Sequence, residues 1–74
     1  MYTIYHHPPT DNYVVCGPSY RSNYCDTLED AIDSCNSKRI SDAFKAHLVK
    51  YRCVVVATTS TLDNLHIDYP ELFI

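Results

Sequence analysis

Glycine occurs once in this chain, at Gly17, and tryptophan not at all. One glycine excludes a glycine-rich loop built to cradle phosphates, and neither G-x-S-x-G nor H-E-x-x-H occurs. No enclosed catalytic constellation is expected, and an enzyme would need a site shared across an oligomer. Long hydrophobic runs are also lacking. The longest, Cys53 to Ala57, falls far short of the ~20 residues a membrane helix takes. The amino terminus, Met1 to His7, has no basic region followed by an apolar stretch, so neither export nor membrane insertion is expected and the predicted location is the cytoplasm. Low-complexity tracts and stacking repeats are absent too, and 74 residues predict one domain, residues 1–74, that buries only roughly 60% of its surface on folding.

Four cysteines are present: Cys16, Cys25, Cys35 and Cys53. In a reducing compartment they read as free thiols serving as small apolar side chains. His6 and His7 beside four cysteines raise the question of zinc. The intervals contain no C-x₂₋₄-C pair, and adjacent histidines on a strand point to opposite faces, so no metal and no cofactor is expected. Cys25 precedes a helix start, the one setting here that suits a nucleophile, but Asp26, Glu29 and Asp30 disfavour its thiolate.

The net charge of −3 conceals a segregation. Asp26 to Asp33 holds Asp26, Glu29, Asp30 and Asp33 with no base, whereas Lys38, Arg39, Lys45, Lys50 and Arg52 follow with Asp42 as the single acid among them. An electrically two-sided molecule is predicted, with consequences for partners rather than for the fold. Tyrosine is abundant, at seven residues. Tyr13, Tyr20 and Tyr24 flank two turns and are the candidate exposed anchors, since tyrosine combines contact area with a polar tip.

Tyr2 to His7 and Tyr13 to Cys16 read as strands joined by a loop of residues 8 to 12, because Pro8 and Pro9 cannot donate to a ladder. Tyr20 to Cys25 reads as a third, edge-like strand. Thr27 or Asp26 caps a helix whose stripe is Leu28, Ala31, Ile32 and Cys35, and Glu29, Asp30 and Asp33 face away from it. A second helix starts at Lys38 or Ser41 and runs to Val49, capped by Ser37 or Ser41. Tyr51 to Thr58 has the strongest strand signal, so Val54, Val55 and Val56 are expected in a central strand against Leu28, Ile32 and Phe44. Ser60 is expected to cap a last short helix with Leu62, Leu65 and Ile67 inward, and Pro70 to start one further turn through residues 71 to 74. The predicted class is α/β of the α+β type: a small, mostly antiparallel sheet of three to four strands, with two to three short helices packed on one face.

Tyr-Cys-Asp-Thr-Leu-Glu-Asp-Ala-Ile at residues 24 to 32, Tyr-Pro-Glu-Leu-Phe-Ile at 69 to 74 and the leading hairpin resemble the small orphan early and accessory proteins of tailed bacteriophages. The resemblance implies a cytoplasmic protein that binds and inhibits or redirects a host enzyme or defence factor. No functional residue carries over from it, because that group shares no common site.

Residue chemistry and resemblance together predict a non-enzymatic module that binds another protein through Glu29, Asp30, Asp33, Tyr13, Tyr20 and Tyr24. The alternative is a small nucleic-acid-binding domain in which Lys38, Arg39, Lys45, Lys50 and Arg52 contact phosphates while Tyr51 stacks on a base. A homodimer is compatible with either reading.

Overall fold

Two prolines and a left-handed aspartate turn the chain at its start. In the computed structural model, which describes residues 1–73, β1 (Tyr2–His7) and β2 (Asn12–Cys16) pair antiparallel. Asp11 takes φ 54°, and its N–H donates to the Pro8 carbonyl at 3.3 Å. After the Gly17-Pro18-Ser19 breaker, β3 (Tyr20–Arg21) joins β2, and β4 (Lys38–Arg39) joins β3. β5 (Val54–Thr59) pairs with the other side of β1, giving an antiparallel sheet in the order β4-β3-β2-β1-β5. Five strands exceed the three to four expected because the two-residue β4 forms where a helix start was one of two readings.

The helices follow their caps. α1 (Leu28–Asp33) starts at Thr27, whose side chain accepts from the Asp30 N–H at 3.2 Å. α2 (Asp42–Lys50) starts at Ser41, whose Oγ accepts from the Phe44 N–H at 3.2 Å. A 3₁₀ turn at Leu62–Asn64, capped by Thr61 rather than Ser60, leads into α3 (Leu65–Asp68). Pro70–Phe73 forms a further 3₁₀ turn, and Ile74 lies outside the described residues.

Successive strand side chains point to opposite faces, and here both faces are apolar. On one face Ile4, Val15 and Ala57 pack with Leu28 and Ala31 of α1 and Leu65 of α3. On the other, Val14 and Cys16 pack with Phe44 and Leu48 of α2, joined by the half-buried Tyr5, Tyr24 and Cys53. The helices therefore cover both faces, not one as expected, and Leu28 and Phe44 lie on opposite sides of the sheet.

β5 corrects a second expectation. It is an edge strand, and Val54 and Val55 are each 50% exposed. Unbroken β-branched residues make a strand, but its place in the sheet depends on which other strands find a partner. The register against β1 shifts between Ile4 and Tyr5, so β5 carries a bulge there, and Val56 as well as Ala57 packs toward the α1 face. The strand buried on both sides is β2, through Val14 and Val15. Ile67, expected inward, is 76% exposed, because α3 is too short to present more than Leu65 to the core.

Ser22 joins the two halves of the β2 edge. Its N–H donates to the Val15 carbonyl, its Oγ accepts from the Val15 N–H, both at 2.9 Å, and its hydroxyl donates to the Asn23 carbonyl at 2.8 Å. Tyr13 and Cys25 then resume the pairing through reciprocal backbone bonds of 2.8 and 2.9 Å. The intervening Asn23 and Tyr24 leave the ladder, and Tyr24 reaches the α2 face.

Ile4→Ala removes a fully buried side chain and is expected to cost about 2–5 kcal/mol, whereas Val55→Ala at the exposed edge costs under about 1 kcal/mol. Urea unfolding of both variants checks this, and a Val55 loss equal to that of Ile4 would place β5 inside the sheet. Ser22→Ala strands the buried Val15 N–H and is expected to cost about 1–3 kcal/mol in the same measurement.

Candidate functional site

α1 buries Leu28 and Ala31 and leaves Glu29, Asp30 and Asp33 exposed. Tyr13 lies beside them: it packs on the α1-side core and lines a groove with Thr27, Glu29 and Phe73. A second groove joins Glu29, Ile32 and Asp33 to His66 of α3, whose ring stacks on Phe73 with centroids 3.7 Å apart. The next residue along is the exposed Ile67. Four of the six residues predicted for partner binding, Glu29, Asp30, Asp33 and Tyr13, thus share one side of the molecule.

Tyr24 does not join them, and Tyr20, on the same face of the sheet, lines a separate groove with Tyr2, Cys35 and Asn36. Tyr20 stands on β3 opposite Arg39 of β4, whose Nη2 donates to the Tyr20 hydroxyl at 3.2 Å and whose guanidinium lies 5.1 Å from the ring centre. Tyr24 lies on the α2 face, 6.2 Å from the Phe44 ring and 5.8 Å from that of His47.

The basic side is more populated than the Lys38 to Arg52 segment implies. Lys38 and Arg39 form β4, Lys45 and Lys50 lie on α2, Tyr51 caps the end of α2, and Arg52 turns the chain into β5 with φ 56°. Arg21 of β3 joins them with its guanidinium 3.7 Å above the Phe44 ring. All six Lys and Arg residues therefore lie on β3, β4, α2 and the turn after α2, along with only one of the nine carboxylates, Asp42. Tyr51 stacks against His47 at 4.1 Å and meets His7 at 6.0 Å, with the Lys50 ammonium 5.9 Å from its ring. Sequence reading missed Arg21, His7 and His47. The i, i+4 spacing of His47 and Tyr51 was the available signal for one of them.

His6 and His7 diverge, as strand geometry requires. His6 lies over Tyr13 on the α1 side and bonds Asp11 through Nε2 at 2.8 Å, and the His7 Nδ1 bonds the Thr10 hydroxyl at 2.6 Å. Among the described residues no group of three or more His, Cys, Asp or Glu side chains could hold a metal ion. All four cysteines are free; Cys16 is buried and the others half-buried. Cys25 donates its S–H to the Asn23 carbonyl at 3.3 Å. No helix is long and apolar enough to cross a membrane among the described residues.

Burial sets the titration of the α2-side interior. It pushes the Cys16 thiol from 9.0 up to about 11, against an opposing pull from Arg21. It pushes the Tyr24 hydroxyl, which is sealed from solvent without a hydrogen-bond partner, from 10.0 up to about 12, with the Cys53 thiol adding to the rise. In both groups the folded state favours the neutral form, so the unfolded chain loses these protons first as pH rises. Stability is therefore expected to be fully present below pH 9.0 and to decline as pH passes through about 11 and about 12. Urea midpoints measured across that range check the sign, and Cys16→Ala should remove the earlier part of the decline.

Comparison with protein-family models, curated proteins and solved structures gives no match.

Proposed function

We propose that this chain is a non-enzymatic binding module that docks a basic, partly apolar surface of another protein onto α1. The observation that carries the reading is the state of the α1 acids: Glu29, Asp30 and Asp33 are all exposed, and among the described residues the single ion pair is His6 with Asp11. Unpaired carboxylates beside grooves that contain Tyr13, Ile32 and His66 supply steering charge around apolar contact. In keeping with the resemblance to small phage proteins, the partner would be a host protein that the module inhibits or redirects in the cytoplasm. Tyr20 and Tyr24 do not belong to this surface.

A nucleic-acid reading has one specific observation in its favour, the gathering of Arg21, Lys38, Lys45 and Lys50 with Tyr51 and His47 on the α2 side. The acid surface is preferred because its charges are free of aromatic cover, whereas Arg21, Arg39 and Lys50 already lie over rings of this chain.

Reversing Glu29, Asp30 and Asp33 to lysine leaves Leu28 and Ala31 in place and costs about 1 kcal/mol of stability through the helix dipole. Affinity capture from host extract is expected to retain a nuclease-resistant protein on the native chain, to lose it on the reversed variant and to keep it when Lys38, Arg39, Lys45 and Lys50 are neutralised. Capture that nuclease abolishes, or that only the basic neutralisation abolishes, transfers the function to the α2 side.

A further inference from the structure

The α2 side holds an electrostatic arrangement that the chain does not complete by itself. Arg21 and Lys38 are direct antiparallel partners on β3 and β4. Such partners sit on the same face with Cβ atoms roughly 5 Å apart, and like charges there are destabilising. Arg21 is moreover half-buried. Its guanidinium lies over the Phe44 ring, its Nη1 donates to the Ser22 carbonyl at 3.0 Å, and its Nε is sealed from solvent with no acceptor. No carboxylate of the described residues forms an ion pair with either cation. A partly desolvated guanidinium beside a second cation is costly unless an anion compensates it.

Space for that anion exists at the same place. Arg21, Tyr24, Lys38, Ser41, Phe44 and His47 line a groove of about 380 Å³ between β3–β4 and the start of α2. Ser41 is the N-cap of α2, so the positive end of a nine-residue helix adds to the two side chains. Asp42, at the first position of α2, is exposed and does not line the groove.

We propose that this groove is a binding site for a phosphoryl group, either as the free ion or as the head of a small phosphate monoester. A planar fork and a point charge that line one groove suit a dianion with several acceptor oxygens better than a single carboxylate. The Ser41 hydroxyl adds a donor, and Tyr24 and His47 provide aromatic wall for a monoester that carries a ring. The site stands apart from α1, and it rests on Arg21 and the cross-strand pair rather than on a nucleic-acid chain spread over the whole basic side.

Two-dimensional amide NMR of the intact chain, titrated with inorganic phosphate and separately with AMP at fixed ionic strength, tests it. Saturable shifts centred on Arg21, Lys38 and Ser41 are expected at concentrations up to on the order of ten millimolar. Tighter binding of AMP identifies a monoester, and equal binding identifies the ion. Lys38 is exposed at the sheet edge and carries no packing, so Lys38→Gln keeps the fold and is expected to weaken binding by about tenfold. Arg21→Lys, which keeps the charge and loses the fork, should weaken it as well. Absence of saturable shifts with both ligands, shifts centred elsewhere, or unchanged affinity in Lys38→Gln overturns the proposal. The α1 charge-reversed variant should bind phosphate as the native chain does, so failure of the protein-docking reading is told apart from failure of this one.

Discussion

Val14 and Val15, adjacent on β2 and both buried, set the constraint on which the rest of the structure depends. Neighbouring strand residues point to opposite faces, so two consecutive buried valines require apolar cover on both sides of one thin sheet. With 74 residues, that cover is assembled from very short pieces. α1 and α3 supply Leu28, Ala31 and Leu65 to one side, and α2 supplies Phe44 and Leu48 to the other. Ser22 keeps the arrangement compatible with backbone hydrogen bonding by serving Val15 where β3 ends.

Covering two faces with two helices of opposite charge makes the molecule electrically polarised. α1 carries its acids outward on one side, while Arg21, Lys38 and the α2 lysines lie on the other, and Arg39 of β4 turns back onto Tyr20. With one ion pair among the described residues, the two poles are not spent on internal pairing. Surface ion pairs add little stability, so leaving these charges unpaired costs the fold little and keeps them available for partners. The two edges of the sheet differ in the same way: β4 is short and charged, whereas β5 is longer, neutral and bulged.

The two poles also differ in chemistry. On the α1 side the carboxylates surround shallow grooves with apolar and aromatic walls, a pattern suited to protein contact. On the α2 side cations are interleaved with rings, and Arg21, wedged on Phe44 opposite Lys38, has geometry suited to a compact anion. A single small domain can present both surfaces because the sheet between them separates the two fields.

Local signals in the sequence determined most of the elements. Thr27 and Ser41, each one of two candidate caps, mark helix starts that the backbone adopts, Pro8 and Pro9 mark the hairpin loop, and runs of aromatic and β-branched residues identify β1, β2 and β5. The segregation of acids from bases was equally legible, because it is a property of position along the chain. What the sequence could not decide was which strand is central, which face each helix covers and which tyrosines meet. Val54 and Val55 have the strand propensity of a core, yet they lie at an edge because β5 finds only β1 as a neighbour. Tyr24 leaves the acidic helix because the ladder breaks between Ser22 and Cys25, and Arg21 becomes a site residue only because β4 sets Lys38 opposite it. Propensity and capping act over a few residues, whereas strand order and cross-strand neighbours arise from contacts between distant segments, and only the folded chain brings those together.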